Sequence, residues 1–594
     1  MFPICNGSSV DLRSPAGLHN LGGTWRGGAT KIRAAVAHFA QEENLKIKKL
    51  GLVAVALAAA SALALSGCAS GGDSGSESTG SSSAVITTNG SEPQNPLIPT
   101  NTNEVGGGKI LDAIFAGLVY YDAEGAPQND MAESITTEDN INFEIKIKAD
   151  EKFTNGDPVD AQSFVDAWNY GAYGPNAQLS SYFFENIEGF ADVQALAADG
   201  ETPAPTAETM SGLVVVDDLT FTVKLTSELA DFPLRLGYSA FFPLPKTAFD
   251  DIDAFGQNPA GNGPYKLASD KAWKHNESIS LVPNEDYTGG RKAQNGGLDI
   301  IFYASQDAAY ADLLSNNLDV LDAIPDAAIA TYKDDLGDRA VNQPAAIFQS
   351  FTIPERLAHF GGEEGKLRRA AISMAINRPE ITDVIFDGTR TPASDFTSPV
   401  IAGWSDSLEG AEVLDFNADE AKKLWAQADA ISPWTGTFQI AYNADGGHQS
   451  WVDAVTNSIK NTLGIDASGA PYPTFAEFRT LVTDRSIQTA FRTGWQADYP
   501  GLFNFLGPLY ATGAGSNDGD YSNPAFDELL AKGSSASDLE QANADFQAAQ
   551  ELLLADLPVL PLWYSNVTGG YGESVENVQF GWNSVPIYNE ITKK

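Results

Sequence analysis

The chain has 594 residues, 43% of them apolar, with 36 Lys and Arg against 78 Asp and Glu, for a formal charge of −42. Such a surplus of acid excludes nucleic acid as a partner, because Lys and Arg must neutralise phosphates there. Two cysteines, Cys5 and Cys68, leave no room for a disulfide framework, so core burial must hold a chain of this length together, in two or three domains.

The first informative segment is Leu50 to Leu65, sixteen mostly apolar residues led in by Lys46, Lys48 and Lys49 and closed by Leu65-Ser66-Gly67-Cys68. A basic stretch, an apolar stretch and small residues before a cysteine read as a secretory signal with a lipobox. The run falls short of the roughly 20 apolar residues of a spanning helix. Residues 1–67 are therefore expected to be a leader, removed to leave Cys68 for lipidation and to anchor the protein to the outer face of the cell membrane. Residues 1–44 lack any hydrophobic period, and an upstream start assigned in error is expected there. The leader holds seven Lys and Arg against three Asp and Glu, so the chain from Cys68 onward carries about −46.

Residues 68–83 are almost all Gly, Ser, Asp, Glu and Thr and read as a flexible tether. They include Gly72-Asp73-Ser74-Gly75, which looks like a serine-protease nucleophile segment, but a tether supplies neither oxyanion hole nor partner histidine.

From Ala84 onward strands and helices alternate, which predicts a mixed α/β fold. Strands are expected at Val85 to Thr88, Phe143 to Lys148, Asp299 to Tyr303 and Pro558 to Trp563. Leu213 to Val216 and Phe221 to Leu225 flank Asp217-Asp218 as a hairpin. Helices are expected at Lys109 to Leu118, Asp160 to Tyr170, Lys366 to Ile376, Ala418 to Ala428, His448 to Leu463 and Asp538 to Leu554. Asn155-Gly156-Asp157-Pro158 is a turn in which Gly156 supplies positive φ.

Several segments together resemble the oligopeptide- and dipeptide-binding proteins of bacterial ABC importers, solute-binding protein family 5. They are Asn89-Gly90-Ser91-Glu92-Pro93-Gln94-Asn95-Pro96-Leu97; Phe153-Thr154-Asn155-Gly156-Asp157-Pro158-Val159-Asp160-Ala161-Gln162-Ser163-Phe164 leading to Trp168; and Gly261-Asn262-Gly263-Pro264-Tyr265. Leu367-Arg368-Arg369-Ala370-Ala371 comes next, with Ala375-Ile376-Asn377-Arg378. Arg492-Thr493-Gly494-Trp495-Gln496-Ala497-Asp498-Tyr499, with Asn504-Phe505-Leu506 behind it, is the most specific.

The resemblance implies a two-lobed periplasmic-binding-protein-like α/β fold of type II, with an extra subdomain. Lobe I is expected at 84–302 and 566–594, its extra subdomain around 109–206, and lobe II at 303–565, with hinges near Phe302 and Asn566. It implies capture of short peptides between the lobes and delivery to a permease with ATPase subunits, by a monomer without cofactor, metal or catalysis.

Asp498 beside two large aromatics needs a cationic partner if buried, and by resemblance that partner is a peptide α-ammonium. Arg492 is expected to face the carboxylate end, Trp495 and Tyr499 to form apolar walls, and Tyr182 and Asn103 to line the cleft from the other lobe. Gly156 and Gly263 should serve turns, Trp168 the core, and Arg368, Arg369 and Arg378 surface caps or pairs. Leu502 replaces a proline common in relatives, a departure that could reshape the pocket floor.

The same scaffold could hold another solute, an oligosaccharide or a metal chelate. A bare metal ion is disfavoured, since only His275, His359 and His448 come after the leader and they are scattered. A secreted enzyme is disfavoured because no His-Glu-x-x-His helix or Gly-x-Ser-x-Gly elbow is present.

Overall fold

The computed structural model describes residues 83–102, 104–197, 202–444, 447–473 and 475–594. The expected leader, Cys68, all but the last residue of the tether, and Asn103 lie outside the described residues.

The hydrophobic pattern sorts into two large cores. One gathers Ile86, Ile110, Phe143, Trp168, Phe241, Leu298 and Ile591, the other Phe351, Ile372, Ile440, Val455, Phe505, Leu553 and Trp563. These are the two lobes. They share one twelve-stranded sheet, whose main path runs through strands Ala467–Tyr472, Phe438–Asn443, Ala490–Gln496, Ala340–Thr352, Val559–Tyr571, Val320–Leu321, Val85–Gly90, Gly297–Phe302, Ser278–Pro283 and Tyr265–Leu267.

Two thirteen-residue strands, Ala340–Thr352 and Val559–Tyr571, carry the chain from lobe to lobe side by side and antiparallel. Their register slips between Pro344 and Phe348, where Pro344 pairs with Asn566. Proline lacks the N–H that a ladder needs, so the slip falls where pairing is weakest. The second crossing passes Asn566. The first lies around Pro344 rather than Phe302, because Val320 pairs with both Thr88 and Tyr571. Residues 303–339 thus pack on the first lobe, not the second. Chain order alone could not reveal that, since a two-residue strand has no period to read.

The extra subdomain is a four-stranded antiparallel sheet in the order Ala132–Thr137, Asn142–Ile147, Thr220–Lys224 and Leu213–Asp217, and so extends past residue 206. Strand Asn142–Ile147 alternates exposed and buried side chains along its length, as the period of two requires. Helix Ala161–Ala172 begins at a capping box between Asp160 and Ser163 and buries Trp168, whose indole N–H donates to the Phe241 carbonyl at 2.9 Å.

Helix Val105–Ile114 starts four residues before the sequence suggests. Its first turn holds three consecutive glycines, Gly106 to Gly108, and Glu104 caps it by accepting from the Gly107 amide at 2.9 and 3.0 Å. Gly156 does adopt positive φ, at 91°, in its turn. Gly263 serves another purpose: a Cβ there would lie 2.6 Å from the Phe115 backbone.

Arg368, Arg369 and Arg378 are not at the surface, being 0%, 0% and 1% exposed. Arg369 donates to the carbonyls of Asp556 and Phe360, and Arg378 to those of Pro561, Ser373 and Leu414. Arg368 lies between Trp425 and Trp434, 4.5 and 5.2 Å from their ring centres. A buried guanidinium that satisfies carbonyls from a strand, from helix ends and from turns ties those elements to one another.

Candidate functional site

Strand Ala490–Gln496 positions the site. It pairs with Ala340–Thr352 from Phe491 to Gln496, but with Phe438–Asn443 only at Ala490 and Phe491. From Arg492 onward its other edge has no strand partner among the described residues. The period of two puts Arg492, Gly494 and Gln496 on one face, and Asp498 comes two residues later.

Gln496 and Asp498 line a cavity of about 310 Å³, closed on other sides by Thr102, Glu104, Lys109, Tyr121, Tyr238, Phe242 and Trp582. Tyr121 meets Trp582 edge to face at 5.5 Å. The cavity therefore joins side chains of both lobes.

Asp498 is half-buried and held by one neighbour. The Asn504 side chain accepts the Asp498 amide at 2.9 Å and donates through Nδ2 to Oδ2 at 3.0 Å. The same Asn504 oxygen accepts the Trp495 indole N–H at 3.1 Å. Asn504 itself is 3% exposed, in the first turn of helix Leu502–Tyr510. The other carboxylate oxygen, Oδ1, has no hydrogen-bond donor, and Asp498 no ion-pair partner, among the described residues. Loss of solvent raises its pKa above the usual carboxylate value, opposed by the Asn504 hydrogen bond.

The negative charge is felt around it. Tyr182 and Tyr238 have raised pKa values, first from burial and then from the Asp498 charge. Tyr182 is 51% exposed and does not line the cavity itself. It meets Phe183 tilted at 4.5 Å, and Phe183 stacks on Tyr238 at 4.3 Å, so an aromatic row leads to the cavity wall.

Lys109 is also buried here, but it is neutralised by an ion pair with Asp322. Burial pulls its pKa down, yet Asp322, Tyr588 and Glu104 outweigh that and leave it raised. Asp112, on the same helix, pairs with Arg291 at 3.1 Å. Among the described residues, Asp498 is thus the carboxylate of this cavity that combines burial with an oxygen lacking a donor.

The other residues expected from sequence take different places. Arg492 stays on the strand, roughly 20 Å from Asp498 at about 3.3 Å per residue, with its Nε donating to Asn443 at 3.2 Å and its guanidinium 5.6 Å over Phe475. Trp495 lies on the opposite face of the strand, half-buried against the second core. Tyr499 is no wall of the cavity: it is 3% exposed and packed into the core of the first lobe. Asn103 is outside the described residues, between Thr102 and Glu104, which both line the cavity. Leu502 is the first residue of its helix, 1% exposed and away from the cavity. Proline is favoured at that position, so either residue fits without altering the floor.

Asn504, Tyr121, Tyr238 and Trp582 are not evident as site residues from sequence. Asn504 stands inside a recognised segment, and its spacing of six from Asp498 is the available signal. Trp582 lies more than eighty residues beyond Asp498, where only tertiary structure could bring it back.

Among the described residues no group of three His, Cys, Asp or Glu is placed to hold a metal ion.

Known proteins share this architecture. A structure of MppA, a periplasmic murein tripeptide-binding protein in its unliganded open form, superposes with a TM-score of 0.73 at 21% identity, covering 86% of this chain and 98% of that one. Haemophilus influenzae OppA in complex with RPPGFSPFR gives 0.66 at 23% identity, over 86% and 99%. In sequence, the chain is 24% identical to the oligopeptide-binding protein OppA of Bacillus subtilis (strain 168), over 87% of this chain and 94% of that protein. It is 25% identical to the periplasmic murein peptide-binding protein MppA of Escherichia coli (strain K12), over 77% and 83%. The model for bacterial extracellular solute-binding proteins, family 5, middle region, matches residues 126–517. The chain belongs to family 5 of the bacterial extracellular solute-binding proteins.

Proposed function

We propose that this protein is the extracellular, lipid-anchored substrate-binding component of an ABC importer and captures short peptides between its lobes for delivery to the permease. The observation that carries the reading is the half-buried Asp498 carboxylate, which faces a cavity between the lobes with one free oxygen. An α-ammonium supplies the charge and the donors that such a carboxylate needs.

The rest of the peptide then runs along the strand from Asp498 towards Arg492. Its backbone adds to the edge beside Gly494 and Gln496, where the strand has no second strand partner among the described residues, an affinity indifferent to side chains. In peptides of about six residues, Arg492 at the far end receives the carboxylate, directly or through water, while shorter ones are held at the Asp498 end. The names of the relatives, which bind oligopeptides or murein peptides, agree with this ligand class. Closure turns the lobes about the register slip near Pro344 and Asn566, and ligand favours the closed form by touching both.

Native mass spectrometry of the domain from residue 69 onward, purified from peptide-rich medium, followed by acid release and sequencing, tests the reading. A ladder of short peptides supports it. A released sugar or chelate with no peptide would refute it. Lipidation is checked separately: Cys68→Ser should move the protein from the membrane fraction to the medium.

A further inference from the structure

Tyr499 is the next residue in the chain after the ammonium-binding carboxylate, yet it sends its ring into the first lobe. Its hydroxyl donates to Asp231 Oδ2 at 3.1 Å. Asp231 in turn holds Arg235 at 3.0 Å, and these two side chains are 6% and 10% exposed. The Arg235 guanidinium lies 5.2 Å from the ring centre of Tyr499 and 5.2 Å from that of Phe503. Asp231 and Arg235 belong to the first lobe through Phe232, which packs on Phe143 and Phe241.

The arrangement is specific to the binding loop. Tyr499 is the chain neighbour of Asp498, and Phe503 is the chain neighbour of Asn504. The two rings that flank Arg235 are therefore each one residue from the two side chains that build the ammonium site. Two further bonds cross between the lobes nearby, Ala230 N–H to the Ser534 carbonyl at 2.7 Å and Asn140 Nδ2 to the Ala536 carbonyl at 2.8 Å. They do not touch the 498–504 loop.

A charge pair buried between lobes is costly in desolvation and brings little stability over an apolar contact of the same shape. Its presence beside the site is explained if it reports lobe position to the loop. We propose that Tyr499, Asp231 and Arg235 are positioning residues: they form an interlobe latch that joins closure to the placement of Asp498. Ligand that engages Asp498 steadies the 498–504 loop, and the steadied loop presents Tyr499 and Phe503 together to Arg235. The same coupling runs in reverse, so the latched form holds ligand more tightly. This inference rests on the peptide reading of the cleft.

The test titrates Ala-Ala-Ala into the wild type, Tyr499→Phe and Asp231→Asn by calorimetry, and records small-angle scattering with and without the peptide. Tyr499→Phe removes one hydroxyl and leaves the Asp231–Arg235 pair intact, and Asp231→Asn keeps the shape if the first variant folds poorly. Affinity should fall roughly three- to tenfold, and the peptide-induced decrease in radius of gyration should shrink. A purely structural role would lower the melting temperature while leaving affinity and compaction as in the wild type, and that result overturns the latch. Should the wild type bind while both variants match it, the latch fails and the peptide reading stands. Should the wild type bind no Ala-Ala-Ala, both fall.

Discussion

Asn504 and Asp498 are bonded to each other twice, backbone to side chain at 2.9 Å and side chain to side chain at 3.0 Å. The pair fixes one carboxylate oxygen and leaves the other facing the cavity, and the proposed ammonium contact rests on that arrangement. Charge alone would not suffice in a protein with 78 acidic residues.

The role of Asn504 is open to direct trial. Asn504→Ala should weaken Ala-Ala-Ala binding by about 1–3 kcal/mol, because it strands the Asp498 amide and the Trp495 indole N–H and frees the carboxylate to rotate. Calorimetry measures the loss, and Trp495 emission should shift with it. Unchanged affinity would show that the carboxylate is held otherwise.

Affinity should also depend on pH with a defined sign. Burial raises the pKa of free Asp498, and a bound ammonium favours the ionised form and lowers it. Binding is therefore strongest above the free-state pKa and weakens as pH falls through it. The weakening should begin at a higher pH than for an ordinary carboxylate near about 3.9. In Asn504→Ala, without the hydrogen bond that opposes the rise, it should begin higher still. Titrations across acidic pH would show the order.

A second buried acid governs stability. Asp395 is 0% exposed and accepts from Thr397 and Tyr564, and burial pushes its pKa up to about 6. A raised carboxyl pKa means that the folded state prefers the protonated form. Its contribution is whole below the unfolded value near about 3.9 and is lost as pH rises towards 6. Over that window the wild type should lose about 3 kcal/mol relative to Asp395→Asn, at about 1.4 kcal/mol per pH unit. Urea melts of both proteins at pH 4 and pH 7 give the comparison, and parallel pH dependence would remove Asp395 as the cause.

Arg378 should be indispensable to the second lobe. Arg378→Ala would strand the carbonyls of Pro561, Ser373 and Leu414 and leave a cavity, for a loss of about 3–5 kcal/mol in urea unfolding. Arg378→Lys should recover little, since an ammonium cannot reach three carbonyls in a fork. A loss below about 1 kcal/mol would contradict the pinning role.

Local patterns are legible where they are periodic. The hairpin around Asp217-Asp218, the alternating strand at Asn142–Ile147 and the helix at Ala418–Ile431 come from apolar spacing, and Asp498 stands out as a charge between aromatics. What depends on distant pairing is hidden. Residues 303–339 read as the second lobe until Val320 is seen to pair with Thr88, and Tyr499 reads as a wall until its hydroxyl meets Asp231, 268 positions away. The buried arginines mislead for the opposite reason. Their charge suggests a surface, and only the backbone carbonyls and rings that tertiary structure gathers around them explain why they are inside.

The central claim is that Asp498 receives the peptide's α-ammonium, and calorimetric titration of Ala-Ala-Ala against N-acetyl-Ala-Ala-Ala, in the wild type and in Asp498→Asn, tests it most directly. Acetylation removes the cation, and the substitution removes the anion. Each change alone should cost about 2–5 kcal/mol, and both together hardly more than one, because they delete the same contact. An acetylated peptide that binds the wild type as tightly as the free one would contradict the account.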